Sequence, residues 1–156
     1  MIQVGIENGN VLHRFQNEAK PSAETSIHQS IYRLYPQAQA CFHVHSVDAC
    51  LAASHVNRNA LEMLLPPLEI LKGLGIREEG QEVGLPIFDN HLDVAQIARD
   101  IDYRFHQSPP PVSALIIRHH GITVWGGSLQ QTYNRVEIIE FIMGYMARQA
   151  NAPSPG

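Results

Sequence analysis

Two histidines end the short alternating stretch Cys41-Phe42-His43-Val44-His45-Ser46. Side chains two apart on a strand project to the same face, so His43 and His45 can both offer imidazole nitrogens to one ion. A third candidate lies far along the chain in Arg118-His119-His120-Gly121, directly after the apolar run Ala114-Leu115-Ile116-Ile117. On an extended backbone His119 and His120 point opposite ways, so only one of them can join the pair. Gly121 permits a close backbone approach beside His120, which favours His120 and leaves His119 as a supporting or surface group. Three imidazoles from two strands suit a zinc ion with one open coordination position, as in catalytic rather than structural sites. Imidazole suits other divalent ions too. In a chain with nine histidines His-x-His also arises by chance, so spacing alone leaves metal binding open.

Three further residues could do chemistry, and each has a plainer explanation beside it. Glu24 falls in the first turn of a predicted helix, where dipole stabilisation of ~0.5 kcal/mol accounts for it. Glu69, between Leu68 and Ile70, reads as a general acid/base with a raised pKa or as an exposed position on a short helix. Ser22 reads as a helix cap or as a phosphate donor at a helix N-terminus. His13, His28, His55, His91 and His106 have no spacing partner and read as ordinary surface or core residues. Trp125 and Tyr133 read as core, and Asp48, Asp89 and Asn90 as caps.

The elements that must carry these groups follow from pattern. Residues 2–6 and 11–15 alternate around Asn8-Gly9, which predicts a hairpin. Ser22 is placed to cap a helix whose buried face is Ile27, Ile31 and Leu34, with Pro36 ending it. A helix over 47–55 follows the His43/His45 strand. Residues 64–73 read as a proline-started short helix stopped by Gly73. Val83–Phe88 is a predicted strand, and Asn90 is placed to cap a helix with Leu92, Ala95, Ala98, Ile101 and Phe105 on one face. Val112–Ile117 is apolar without alternation, as in a central strand covered on both sides. Ile122–Trp125 is a further strand, stopped by Gly126-Gly127. Ser128 and Gln131 pair as a capping box for a last helix over 129–148. The far half of that helix is apolar around more than one face, which predicts a subunit interface. Together these elements predict a three-layer α/β/α sandwich around a mixed, mainly antiparallel sheet over residues 1–150. Residues 151–156 read as a disordered tail.

Composition narrows the functional classes. A chain of 156 residues with 44% hydrophobic and 17% charged content is an ordinary globular domain. Its formal net charge of −4, with basic residues scattered singly, gives no footprint for nucleic acid or an anionic membrane. Cys41 and Cys50 are too few for a disulfide framework and read as free thiols in a reducing cytoplasm. No stretch has the apolar length of a membrane span.

Taken in order, Lys20-Pro-Ser-Ala-Glu-Thr25, His43-Val-His45-Ser46, Leu68-Glu-Ile-Leu-Lys-Gly73, Pro86-Ile-Phe-Asp-Asn90 and His120-Gly-Ile-Thr-Val-Trp-Gly126 resemble the class II aldolase/adducin superfamily over most of the chain. The Glu-x-x-Lys-Gly segment and the Val-Trp-Gly strand favour its dehydratase branch over its sugar-phosphate aldolases. The resemblance implies that His43, His45 and His120 ligate one zinc ion per subunit, and that Glu69 is the catalytic acid/base. It makes Ser22 a phosphate contact, and Glu24 the carboxylate that is the acid/base near the metal in related aldolases. It also implies a homotetramer with sites near subunit interfaces. The implied reaction is loss of water from 5-methylthioribulose 1-phosphate to give 2,3-diketo-5-methylthiopentyl 1-phosphate, a step of methionine salvage. Family members carry an N-terminal helical segment and a Ser-Gly-Asn phosphate loop before the first hairpin, whereas here Met1 leads straight into the strand. The expectation is therefore either that the start of the chain is placed too late, or that the chain is a remnant with a damaged phosphate site in which zinc binding survives more readily than turnover. A ketose-phosphate aldolase and a non-catalytic adducin-like module are the rival expectations.

Overall fold

The computed structural model describes residues 1–15, 18–78 and 80–150, so the predicted tail over 151–156 lies outside the described residues. The chain opens with the predicted hairpin, β1 (Ile2–Val4) against β2 (Val11–Arg14), as a sheet of its own. Gly9 takes the positive φ of +68° that the turn demands. The loop is wider than a two-residue turn, closed by Gly5 N–H to the Asn10 carbonyl and Gly9 N–H to the Gly5 carbonyl, both 2.9 Å.

The main sheet contains β3 (Ala40–His45), β4 (Glu62–Leu64), β5 (Gly84–Phe88), β6 (Ala114–Ile117) and β7 (Gly121–Gly126) in the order β3-β7-β6-β5-β4. Only the β5–β6 pairing is parallel, so the sheet is mixed and mainly antiparallel, as expected. Successive residues of β6 enter opposite cores. Leu115 and Ile117 join Phe88 and Trp125 under α1 (Thr25–Leu34) and α3 (Val94–Gln107). Ala114 and Ile116 join Ile87, Ile122 and Val124 under α2 (Val47–Ser54), α4 (Leu129–Ala150) and a 3-10 helix, Glu69–Leu74. The lack of alternation in β6 is thus the signature of a strand covered on both faces. The three-layer sandwich is present.

Several local expectations are corrected. Ser22 does not cap α1: the N-cap is Glu24, with no side-chain cap bond. Ile27 and Ile31, both fully buried, compensate, because burying one such side chain contributes ~1.5–3 kcal/mol against about 1 kcal/mol for a cap. Ser46, not Asp48, caps α2, accepting from Ala49 N–H at 3.1 Å. Asp93, not Asn90, caps α3, and Leu92 stands fully exposed outside it. The proline-started helix is instead β4, an irregular Leu65–Leu68 link and the 3-10 helix. Its stop is Gly75 at φ +95° rather than Gly73, which lies inside the helix. Two prolines in a row at 66 and 67 keep the link extended and postpone the helix. Tyr133 is exposed on α4, whereas Trp125 is core.

Candidate metal centre

β3 pairs with β7 so that His43 faces Thr123 and His45 faces Gly121. Cys41, two residues before His43 on the same strand, packs into the core under α1, while Val44 packs into the opposite one. His43 and His45 therefore project to the α1 side, at the end of the sheet where β3 leads into α2. His120 arrives from the turn between β6 and β7, and Glu24 from the start of α1. One donor atom from each of Glu24, His43, His45 and His120 lies within 4.8 Å of the others.

The Nε2 atoms of His43 and His120 are 3.3 Å apart, those of His120 and His45 3.0 Å, and Glu24 Oε1 is 3.8 Å from His120 Nε2. Nitrogens bound tetrahedrally to one zinc at 2.0–2.1 Å stand about 3.3–3.4 Å apart, so the spacing fits a shared cation. The chemistry of the donors fits as well. A proton on His120 Nε2 could link these nitrogens as hydrogen bonds, whereas a single cation can accept a lone pair from every one of them.

Their protonation suits the same role. Burial, then the neighbouring His120 and His45, push the His43 pKa down to about 4. Burial and His45 also lower His120. The hydrogen bond from the Ser22 hydroxyl, with help from the Glu24 backbone, holds the Glu24 carboxyl below its ordinary value. These shifts favour neutral imidazoles at His43 and His120 beside an ionised Glu24, the forms that bind a divalent ion.

The support behind the rings is unequal. His43 Nδ1 is 2.9 Å from Thr123 Oγ1, and Thr123 is fully buried. With Nδ1–H donated to that oxygen, the Nε2 lone pair is directed at the cluster. His120 Nδ1 is buried with no partner among the described residues, so no side chain fixes its ring from behind.

Ser22, Glu24, His28, His43, Val44 and His45 line an open cavity of about 480 Å³ at the cluster. His28, which has no spacing partner in the sequence, belongs to this wall; its ring hydrogen-bonds the Cys41 backbone, and burial lowers its pKa. Thr123 also escapes sequence reasoning, although it lies two residues after Gly121 on the face the histidines use. Glu69 is not brought to the cluster. It sits in the layer on the opposite side of the sheet, 81% exposed, with Oε1 3.0 Å from Lys72 Nζ. His119 is exposed in a separate cleft with Arg118, Asp89 and His91.

The family model for the Class II Aldolase and Adducin N-terminal domain matches residues 1–146. This chain belongs to that family. Among class II aldolase relatives, a methylthioribulose-1-phosphate dehydratase from Microcystis aeruginosa is 52% identical over 138 residues, 88% of this chain and 66% of that protein. A protein of the same name from Leptospira biflexa is 38% identical over 149 residues, 94% of this chain and 71% of its own length. The chain therefore spans about two thirds of these relatives. An L-fuculose 1-phosphate aldolase shares the fold with a TM-score of 0.69 at 20% identity, over 99% of this chain and 64% of that one. YgbL from Escherichia coli does so with a TM-score of 0.72 at 22% identity, over 99% of this chain and 66% of that one.

Proposed function

We propose that this chain is the catalytic domain of a zinc-dependent hydro-lyase that dehydrates 5-methylthioribulose 1-phosphate in methionine salvage. One observation carries the reading: Glu24, His43, His45 and His120 converge on one point in a chain 52% identical to a methylthioribulose-1-phosphate dehydratase. When bound, zinc supplies Lewis acidity to the substrate's C2 carbonyl, which makes the C3 proton easier to remove.

The chain's own residues do the rest. His43, His45 and His120 hold the ion, and Glu24, kept ionised by Ser22, places a carboxylate at the cavity to receive the C3 proton. We assign Ser22, at the mouth of the same cavity, to the phosphate, to which it would turn its one hydroxyl proton from Glu24 when substrate binds. Loss of the C4 hydroxyl requires a proton on that oxygen, and a carboxyl group can supply it. We assign this step to Glu69. Because Glu69 faces away from its own cluster, it would serve the cavity of a neighbouring copy in a homotetramer. The C4 hydroxyl leaves as water with the Glu69 proton; the resulting enol then takes a proton at C4 and gives up its O3 hydroxyl proton to become the 2,3-diketone, which restores both carboxyl groups.

No helix among the described residues is long and apolar enough to cross a membrane, which is compatible with a cytoplasmic enzyme. The test is metal analysis of the purified protein followed by incubation with 5-methylthioribulose 1-phosphate. About one zinc per chain and release of the diketone are expected, and Glu69→Gln should keep its zinc while losing ~10²–10⁴ in rate. A metal-free protein, or wild-type turnover by the variant, would overturn the respective assignment. The placement of Glu24 at the cluster favours one alternative, retro-aldol cleavage with Glu24 as the acid/base. Products of C–C cleavage in the same incubation would identify it.

A further inference from the structure

We infer that Arg118 is the positioning residue that holds His120 at the metal centre, by tying the turn that carries His120 to the helix that continues from His45. The inference rests on the metal-centre reading above. Arg118 stands two residues before His120, and its side chain is only 10% exposed. Its guanidinium runs inward to the end of α2 and the loop beyond it. Nη1 donates to the carbonyls of Ala53 and Val56, both at 3.3 Å, and Nη2 to those of Asn57 at 2.8 Å and Ala60 at 3.1 Å. Nε lies 3.4 Å from Asp89 Oδ1. Carbonyls at a helix C-terminus favour a cation; those of Ala53 and Asn57 also accept the Val56 and Ala60 N–H groups, and Arg118 gathers them with the Val56 and Ala60 carbonyls around one buried guanidinium.

The geometry makes this more than a local cap. α2 begins two residues after His45, and Ser46 between them bonds both Ala49 N–H and Glu140 Oε2. Its far end is the end Arg118 grips. His45 and His120 are thus joined twice: through the β3–β7 ladder, and through α2, its loop and Arg118. The second link matters because the turn is itself unusual. His119 has φ +52°, a conformation that a non-glycine residue keeps only when its surroundings impose it. Arg118 N–H donates to the Phe88 carbonyl at 2.9 Å and His120 N–H to the Ile117 carbonyl at 3.2 Å, which fixes the two ends of the turn. His43 has Thr123 behind its ring, whereas His120 has no partner on Nδ1 among the described residues. The His120 ring is therefore placed by its backbone, and the backbone by Arg118.

The experiment measures Co²⁺ affinity and the visible Co²⁺ spectrum of the full chain, with thermal unfolding of the metal-free protein in parallel. Arg118→Met is compared with Arg104→Met, which removes another half-buried guanidinium, bonded to the Ile87 carbonyl at 3.1 Å and away from the cluster. Both variants should lose stability, but only Arg118→Met should lose Co²⁺ affinity, by about tenfold or more, with a changed spectrum. Arg118→Lys, which can reach fewer of the carbonyls, should fall between wild type and Arg118→Met, and it carries the test if Arg118→Met does not fold. Unchanged affinity and spectrum in the folded variants, or equal losses in Arg104→Met, would overturn the inference. Failure of the wild type to bind Co²⁺ would instead overturn the metal-centre reading.

Discussion

Thr123 shows how much of the proposed metal centre rests on a residue outside the donor cluster itself. Its hydroxyl is the only support recorded behind the His43 ring among the described residues, at 2.9 Å and fully buried. Thr123→Val keeps the shape and removes that partner. Zinc affinity, read by competition with a chromogenic chelator, is expected to fall about tenfold while the fold survives. The same rings make the metal-free protein sensitive to acid. His43 is pushed from 6.5 down to about 4, and His120 is lowered as well. A histidine whose folded pKa lies below its unfolded one contributes stability above the unfolded value and loses it as pH falls toward the folded value. Chelator-treated protein should therefore unfold at lower urea at pH 4.5 than at pH 7.5, and zinc should oppose the loss between those values. At this scale the His43/His45 pair is legible because strand alternation is local. Thr123 and His28 are not, because their roles depend on a β3–β7 register and a helix approach that only the folded chain defines.

At the level of elements, the close contact between β3 and β7 is what brings the proposed ligands together, and Gly121 permits it. A Cβ on Gly121 would lie 2.1 Å from the Val44 carbonyl oxygen and 2.9 Å from its carbon, so the backbones would have to part. Gly121→Ala should destabilise the protein by about 2 kcal/mol or more, visible as a lower urea midpoint. It should also weaken metal binding, since His45 faces this residue across the ladder. The sheet and helices were largely readable from hydrophobic period. The misreadings cluster where local chemistry offered two answers: Ser46 beside Asp48, Asp93 beside Asn90, and Gly75 beside Gly73. In each pair either residue could end or begin a helix, and tertiary packing made the choice. β4 escaped notice because three residues, Glu62–Leu64, are too short for alternation to register.

Across the whole molecule, the two helical layers have different outer surfaces. On the α2/α4 side Val47, Leu51, Phe141 and Tyr145 are all at least 40% exposed, and Glu140 Oε1 is buried with no partner among the described residues. Large apolar side chains gathered on the outside of a helical layer are what a subunit interface covers. Phe141→Glu should lower the molecular mass measured by light scattering coupled to gel filtration, and an unchanged mass would exclude Phe141 from any interface. Of the apolar residues in the second half of α4, Ile139, Ile142 and Met143 enter this chain's own core, whereas Phe141 and Tyr145 stay exposed and join Val47 and Leu51 of α2 on the outside. The sheet order has a separate consequence. β3 is the outermost strand on its side, so two of the ligands ride on the rim of the protein and not in its middle. An ion can come and go there while both hydrophobic layers stay shut, so exchange of the metal need not wait for the fold to open.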